Sequence, residues 1–226
     1  MIATATQLGI GIYTPAEAAF YARVRTQTLN RWIFGDSHGD AVISAQIKGG
    51  DEKTVTFLDF VQALAIRAIR TQYPKISLQK IRKAVDLAGE KLGIDYPFAR
   101  EHKTFIYDGR EITLEIKGNL VALSGKFSKN LLFGPIAELY SQRLTFGTDG
   151  LASDFCAWGI GDCCIRMDPK RRFGEPVVIS SGYTAHALWE ASIIEGGIAA
   201  AARAYGVEER DVILACDYYD HLSVAA

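Results

Sequence analysis

The chain has 226 residues, of which 49% are hydrophobic and 23% are charged, and its formal net charge is −1. This composition is typical of a soluble globular protein, and the length allows one large domain or two small ones with a sizeable core. The near-neutral charge excludes a uniformly basic nucleic-acid binder, and the lack of an apolar stretch of about 18 residues predicts no transmembrane helix.

The first predicted element is a pair of short helices. Thr14-Pro15-Ala16-Glu17 has an N-cap threonine, a proline in the first helical position and a glutamate that completes a capping box. This helix extends to about Ala22, and Arg23-Val24-Arg25 forms the turn. Thr26 then caps a second helix, which stops at Gly35. Two short helices joined by a tight turn form a helix-turn-helix pattern.

The next predicted elements are a strand and two longer helices. A strand-like run at 41–47 lies among polar and Gly-rich residues and predicts a hairpin or wing. Thr56 opens a helix whose apolar residues recur at helical spacing, and Ser77 caps another helix that ends near Gly93. These helices supply apolar faces for the core of the first part of the chain.

The middle of the chain has weaker signals. Residues 105–114 alternate around an Asp-Gly pair, which predicts a β-hairpin. Beyond it, 131–140 favours a short helix and 155–165 favours strands. The segment 118–165 is therefore treated as a β-rich connector of uncertain structure.

The last part of the chain has clear signals again. A short strand at 176–179 precedes a helix that Thr184 caps, with a predicted extent of 185–195 and apolar residues at Ala187, Leu188, Ala191 and Ile194. Two glycines break that helix, and two further helices follow at 198–205 and 208–219. Three short helices separated by glycines predict a small helical domain.

The second helix of the N-terminal pair has the side chains of a recognition helix. Short polar or cationic groups at the N-terminal turns of such a helix reach base edges and phosphates, and its exposed N–H groups bind phosphate. The residues predicted to contact DNA in this region are Arg23, Arg25, Thr26, Gln27, Thr28 and Arg31. The alternative is a plain helical hairpin with solvated polar faces.

The N-terminal motif also resembles a known family. Residues 13–19, which read Y-T-P-A-E-A-A, and residues 24–32, V-R-T-Q-T-L-N-R-W, resemble the opening of MerR-type helix-turn-helix domains. The family pattern has a glycine and a valine before the second helix, where this chain has Arg23-Val24. The match covers about residues 11–70. In that family the following hairpin is a wing that touches DNA, which implies a contact from Lys48.

The C-terminal part carries a second resemblance. Residues 168–178, which read D-P-K-R-R-F-G-E-P-V-V, are similar to the D-P-x-x-x-x-G-x-P-x-I opening of a small bacterial antitoxin-associated domain. That domain continues into a helix and a helix-turn-helix, as does this chain. With the MerR-like start, the whole chain resembles a VapB-type antitoxin, whose partner is a PIN-type ribonuclease toxin. The resemblance is good at both ends and poor across about residues 105–160.

The two ends of the chain differ in charge. Residues 66–103 hold nine Lys or Arg and four acids, whereas residues 185–226 hold two Arg and seven acids. A basic part can face phosphate and an acidic part can face a basic partner. The aromatic side chains predicted to bind such a partner are Trp189, Tyr205, Tyr218 and Tyr219. The alternatives are an intramolecular core for these rings and a solvated face for the acids.

The sequence offers little catalytic chemistry. The four histidines are scattered, and no P-loop, nucleophile elbow or H-E-x-x-H is present. Asp149, Asp154, Asp162 and Asp168 could converge on a metal ion, but loop carboxylates are common. The four cysteines have no paired spacing and are expected to be reduced thiols in the cytoplasm. We therefore predict no catalytic residue, no metal and no cofactor.

These observations combine into one prediction. The fold is α+β and mostly helical, with a MerR-like winged helix-turn-helix domain at 1–103, a β-rich connector at 104–165 and a C-terminal three-helix domain at 166–226. The function predicted is a cytoplasmic, non-enzymatic antitoxin that binds operator DNA as a homodimer and neutralises a PIN-type ribonuclease toxin. A stand-alone MerR-like regulator that responds to a small molecule, and a hydrolase that uses the central aspartates, are the alternatives.

Overall fold

The computed structural model describes residues 9–37, 39–47, 52–101, 103–107, 111–116, 119–122 and 143–223. The chain divides into two compact units, which we call the N-terminal unit (Tyr13–Ala152) and the C-terminal unit (Met1–Ile12 with Ser153–Ala226). Both contain helices and strands, so the α+β class is confirmed. The boundaries predicted at residues 103 and 165 stay a prediction.

The N-terminal unit is built from helices followed by a small sheet. Its helices are α1 (Pro15–Tyr21), α2 (Thr26–Phe34), α3 (Phe57–Gln72) and α4 (Leu78–Leu92), and Pro97–Ala99 forms a 3₁₀ turn. Strands β1 (Ile12–Tyr13) and β2 (Val55–Thr56) pair with each other. Strands β3 (Lys103–Tyr107), β4 (Glu111–Ile116) and β5 (Asn119–Ala122) form an antiparallel sheet, and β6 (Leu144–Phe146) follows. The predicted hairpin at 105–114 is confirmed by the β3–β4 pairing.

Local capping sets the helix starts in this unit. The Glu17 N–H donates to Thr14 Oγ1 at 3.2 Å while the Thr14 N–H donates to Glu17 Oε2 at 2.8 Å, which is the predicted capping box. Thr56 and Asp59 form a second box at the start of α3, and the Ser77 hydroxyl accepts from the Lys80 N–H. The helices predicted from Thr14, Thr56 and Ser77 are therefore confirmed.

Helix α3 is the centre of the N-terminal core. It is buried on nearly all sides, and side chains such as Phe60, Val61 and Ile66 have no exposed surface. Leu29 of α2 and Ile81 of α4 are also fully buried. This burial of large apolar side chains from three helices supplies most of the stability of the unit, at about 25 cal/mol per Å² of apolar surface removed from water.

The strand predicted over 41–47 is wrong. The described residues after α2 form bends and one isolated bridge between Asp36 and Gly39. The N–H groups of Val42 and Ile43 both donate to the carbonyl of Trp32, and both side chains are buried. A strand turns consecutive side chains to opposite faces, so it could not bury both of them against the end of α2. The remaining part of the predicted wing, including Lys48, lies outside the described residues.

The C-terminal unit combines a small antiparallel sheet with three helices. Its strands are β7 (Ala152–Ile160), β8 (Cys163–Met167) and β9 (Val177–Val178), and Arg172–Gly174 is a 3₁₀ turn. Its helices are α5 (Ala185–Ile194), α6 (Ile198–Tyr205) and α7 (Glu209–Ser223). The strands predicted in 155–165 and 176–179 are confirmed, as is the Thr184 cap, whose hydroxyl accepts from the Ala187 N–H at 3.2 Å. The predicted helix at 131–140 lies outside the described residues.

Small side chains and one glycine shape this unit. Ala191, Ala201, Ala202 and Val212 form the cluster where the three helices meet. Gly159, at φ +81°, stands in β7 where a Cβ would lie 2.1 Å from the Cys163 carbonyl oxygen. Both features bring backbones closer together than larger side chains would allow.

Candidate nucleic-acid and partner surfaces

The turn between α1 and α2 is closed by backbone hydrogen bonds. The Arg23 N–H donates to Phe20 O and the Val24 N–H donates to Ala19 O, each at 3.0 Å. Arg23 has φ 52°, in the left-handed region that side chains other than glycine rarely adopt. It occupies the position where the MerR-type sequence pattern has a glycine, and an arginine adopts this backbone conformation at a cost.

Helix α2 is amphipathic. Leu29, Trp32 and Ile33 are buried, at 0%, 5% and 1% exposure, so one face packs against the core. The opposite face is solvent-exposed at the residues predicted to contact DNA: Arg25, Thr26, Gln27 and Arg31 are exposed, and Arg23 and Thr28 are half-buried. The structure thus brings six of the seven predicted DNA-binding residues to one helix and the turn before it. Their role in binding stays a prediction.

The N-terminus of α2 suits an anion. Arg25 is the N-cap residue, and its side chain makes no capping hydrogen bond. The first N–H groups of the helix therefore have no side-chain acceptor from that residue, and a phosphate oxygen could accept from them. Gln27 and Arg31 are four residues apart, which places them on one face of the helix next to this end.

A second arginine reinforces the positive charge at the turn. Arg67, on α3, has its pKa lowered by burial and, next in importance, by the positive charge of Arg23. The positive charge of Arg67 therefore adds to that of Arg23. Sequence reasoning missed Arg67 because it lies in the apolar pattern of α3, more than forty positions from the turn.

Other cations of the basic segment have structural roles instead. Arg82 on α4 donates from Nε to Ala41 O at 2.7 Å and also to Asp40 O. Arg70 donates to the carbonyls of Pro74 and Ile76 in the turn after α3. The charge count for residues 66–103 therefore overstates the number of cations available for phosphate in this unit.

Of the four aromatic residues predicted to bind a partner, two are buried inside the C-terminal unit and two are partly exposed. Tyr218 and Tyr219 are 2% and 6% exposed, and Trp189 stacks on Tyr219 with ring centroids 4.8 Å apart. Tyr205 makes an edge contact with Tyr183 at 5.2 Å. Trp189 and Tyr205 are partly exposed, whereas the two buried tyrosines form the core and hold α5 against α7.

The large exposed apolar groups of this unit lie elsewhere. Ile193 and Ile194 at the end of α5 are 61% and 72% exposed, and Ile213 on α7 is 42% exposed. Leu188 and Ala191 lie on the buried face of α5, whereas Ile194 at the end of the helix does not. The adjacent pair of isoleucines in the sequence indicates that at least one of them is exposed, since two neighbouring positions on one helix cannot both lie in a narrow buried stripe.

These isoleucines belong to an acidic face. The Cys216 thiol and the Ser192 hydroxyl are 3.3 Å apart, so α7 packs against α5 at these two residues. The exposed acids on the same two helices are Glu190, Glu209, Asp217 and Asp220. We call this surface, formed by Ile193, Ile213 and these four acids, the α5–α7 face. Large exposed apolar side chains on two packed helices make this face a candidate docking surface.

The central aspartates are engaged in local contacts. Asp154 accepts a 2.7 Å hydrogen bond from Arg166 Nε on the neighbouring strand, and burial raises its pKa. Asp168 Oδ1 accepts from the Lys170 N–H in the turn that starts the D-P motif. Within the described ranges, no group of three or more His, Cys, Asp or Glu has the geometry of a metal site. The four cysteines are free thiols.

The chain resembles proteins of Mycobacterium tuberculosis. No family model matches it. A protein named "Putative antitoxin VapB45" is 27% identical over 197 residues, which cover 76% of this chain and 79% of that protein. The X-ray crystal structure of Rv2018 matches with a TM-score of 0.64 and 22% identity, covering 93% of this chain and 99% of that one. The structural match shows a shared fold.

The comparisons bear on the resemblances drawn from the sequence. The similarity to the protein named as an antitoxin supports the VapB-type resemblance, whereas the MerR-like start has no separate support. In the described part of the chain, no helix is long and apolar enough to cross a membrane.

Proposed function

We propose that this protein is the antitoxin of a toxin–antitoxin pair, with an N-terminal unit that binds operator DNA and a C-terminal unit that binds the toxin. The observation that carries the proposal is the similarity, over 197 residues, to a protein named as an antitoxin. That role is regulatory and not enzymatic. The resemblance of residues 168–178 to an antitoxin-associated domain supports it independently.

DNA binding is assigned to the exposed face of α2. We assign base contacts to Arg31 and Gln27, and phosphate contacts to Arg23 and Arg25 near the turn, where Arg67 adds positive charge. Thr26 and Thr28 add hydroxyl donors at the N-terminus of the helix. Because a single helix-turn-helix buries little surface and operators are usually two-fold, the DNA-binding form is a homodimer.

Toxin binding is assigned to the α5–α7 face. Its isoleucines provide apolar area, and its acids favour a basic partner surface. An RNA-binding ribonuclease contacts the phosphate backbone through cations, and such cations would be the complement of these acids. Trp189 and Tyr205, which are partly exposed, extend the contact area at the edges of the face.

The DNA-binding part is tested by fluorescence anisotropy with the DNA upstream of the gene. Arg31→Ala should weaken binding by about 1–3 kcal/mol if Arg31 contacts a base. The matched control is Arg203→Ala, an exposed arginine of the C-terminal unit, which should leave affinity unchanged. Equal affinities for the wild type and Arg31→Ala would remove Arg31 from the interface, and no binding of the upstream DNA by the wild type would refute operator binding.

The toxin-binding part is tested by co-expression with the product of the neighbouring gene. Ile193→Lys places a cation in the middle of the α5–α7 face and should abolish co-purification and inhibition of ribonuclease activity. Ile160→Lys is the control, because Ile160 is 90% exposed at the tip of the β7–β8 hairpin in the same unit. A neighbouring protein without ribonuclease activity, or one that fails to co-purify with the wild type, would contradict the proposal.

A further inference from the structure

The turn between β8 and β9 has a strained backbone that the proposed function does not use. Arg172, Phe173 and Gly174 have φ values of 46°, 57° and 90°, so three consecutive residues lie in the left-handed region. Glycine adopts this region freely, whereas an arginine and a phenylalanine adopt it at an energetic cost. Such conformations persist only where the surrounding structure enforces them, and they cluster at functional sites.

The backbone on both sides of the strained residues is held by hydrogen bonds. The Arg171 N–H donates to Asp168 O at 2.8 Å, and the Gly174 N–H donates to Arg171 O at 2.9 Å. The Lys170 N–H donates to Asp168 Oδ1 at 2.8 Å. Pro169 and Gly174 are buried, so both ends of the turn are anchored in the C-terminal unit. The turn is therefore a fixed platform for the side chains between its anchors.

Those side chains are basic and aromatic. Four consecutive residues are exposed, and we call them the 170–173 turn: Lys170, Arg171, Arg172 and Phe173. The phenylalanine ring keeps 60% of its surface in water. Residues 170–175 hold three cations and one acid, Glu175, whereas residues 185–226 of the same unit hold two Arg and seven acids. The turn is thus a positive, aromatic patch in a unit whose helices are acidic.

The combination of charges and ring indicates the chemistry of a ligand. Three adjacent cations favour a polyanion, and an exposed flat ring favours a second flat group on which it can stack. A single-stranded nucleic acid supplies both, because its phosphates repeat along the strand and its bases are free to stack on aromatic side chains. The bases of a duplex stack on one another, so a ring at the protein surface does not reach their faces.

We propose that the 170–173 turn binds single-stranded nucleic acid. Phe173 stacks on one base, and Lys170, Arg171 and Arg172 contact the neighbouring phosphates. The left-handed backbone places an arginine and the ring at adjacent positions of a rigid turn, which reduces the entropy lost on binding. The site lies in the C-terminal unit and shares no residue with α2 or with the α5–α7 face.

The test is fluorescence anisotropy of the full-length chain with labelled oligo(dT) and oligo(U) of about 12 nucleotides, a length within the usual range for one binding site. The expected result is saturable binding that weakens as salt is added. The tighter-binding oligomer then shows whether the strand is DNA or RNA, since the two probes differ in the 2′-hydroxyl. Absence of saturable binding of either oligomer by the wild type at low salt would overturn the proposal.

Variants of the ring separate stacking from general apolar contact. Phe173→Ala and Phe173→Leu should both weaken binding about five-fold or more, because leucine keeps apolar surface but has no flat ring. The matched control is Ile160→Ala, which removes an exposed apolar side chain of the same unit and should bind like the wild type. Equal affinities for Phe173→Ala and Ile160→Ala, or wild-type affinity for Phe173→Leu, would refute stacking.

A charge variant separates this site from α2. Arg172→Gln keeps a side chain at the strained position but removes a cation, so the slope of log affinity against log salt should fall by about 0.7. Arg31→Ala, on α2, should leave single-strand binding unchanged. An equal loss in Arg31→Ala would place the strand on α2 and overturn the proposal. So would self-association that requires Phe173 without oligomer binding, because the ligand would then be the acidic α5–α7 face of a second copy.

Discussion

Asp59 fixes the segment after α2 to the start of α3, and removing its carboxylate should destabilise the N-terminal unit. Its side chain is fully buried. It accepts hydrogen bonds from the Thr56 N–H at 3.1 Å, the Thr56 hydroxyl at 2.9 Å and the Gln46 N–H at 3.1 Å. In Asp59→Ala these three donors lose their acceptor. A buried donor left unsatisfied costs about 1–3 kcal/mol.

The donors do not all contribute the full penalty. The Thr56 hydroxyl can rotate toward another acceptor, and Gln46 is only half-buried, so water can reach its N–H. We therefore expect Asp59→Ala to lower the free energy of unfolding by about 2–4 kcal/mol. Asp59→Asn keeps one carboxamide oxygen in the same place and should cost less than Asp59→Ala.

The same residue predicts a pH dependence with a definite sign. Burial raises the pKa of Asp59 above its usual 3.8, an effect that the hydrogen bonds from Thr56 and Gln46 only partly oppose. The folded state then binds the Asp59 proton more tightly than the unfolded state. This contribution to stability is fully present below pH 3.8 and is lost as the pH rises through the folded-state pKa. The Asp59→Asn side chain cannot titrate, so this variant lacks the pH-dependent contribution to stability.

Urea unfolding followed by circular dichroism, at a series of pH values, measures both effects. The difference in unfolding free energy between the wild type and Asp59→Asn should decrease as the pH rises from 3.8 and then level off. A difference that is constant with pH would show that the Asp59 pKa is not raised. An Asp59→Ala protein within about 0.5 kcal/mol of the wild type, with an unchanged denaturant slope, would refute the role of the three hydrogen bonds.

Two further predictions concern backbone positions. Arg23→Gly relieves the left-handed strain at the turn and should raise the melting temperature slightly, by the equivalent of about 0.5–1 kcal/mol, while weakening DNA binding because a cation is lost. A lower melting temperature for Arg23→Gly than for the wild type would contradict the claim that Arg23 is strained. Gly159→Ala should destabilise the C-terminal unit by about 2 kcal/mol or more, since its Cβ would meet Cys163 O, whereas Gly161→Ala, with open space around it, should cost only about 1 kcal/mol. Equal melting temperatures for these two variants would show that the hairpin relaxes around the new side chain.

The elements that the sequence predicted well are those set by neighbouring residues. Thr14, Thr56, Ser77 and Thr184 cap helices by bonds to N–H groups three positions along, so their effect can be read from a short window. The buried face of α2 followed from helical periodicity in the same way. Such signals need no knowledge of what packs against the helix.

The elements that the sequence did not predict depend on distant contacts. Residues 41–47 have the composition of a strand, but Arg82, more than forty positions later, holds the carbonyls of Asp40 and Ala41, and the end of α2 binds the next two N–H groups. Tyr218 and Tyr219 are buried because α5 packs over them, a contact that no short window of sequence contains, and the partner-binding role of the aromatic residues stays a prediction.

The three C-terminal helices meet through alanines, and this has an evolutionary consequence. Ala201 and Ala202 are buried where the helices pack together. A larger side chain at either position would push the helices apart and lower the free energy of unfolding. Ile193 and Ile213 sit on the outside of the same helices, where any side chain is accommodated. Selection can therefore vary the outer positions from one lineage to the next while the scaffold beneath them is conserved, which lets recognition of a new partner evolve without a new fold.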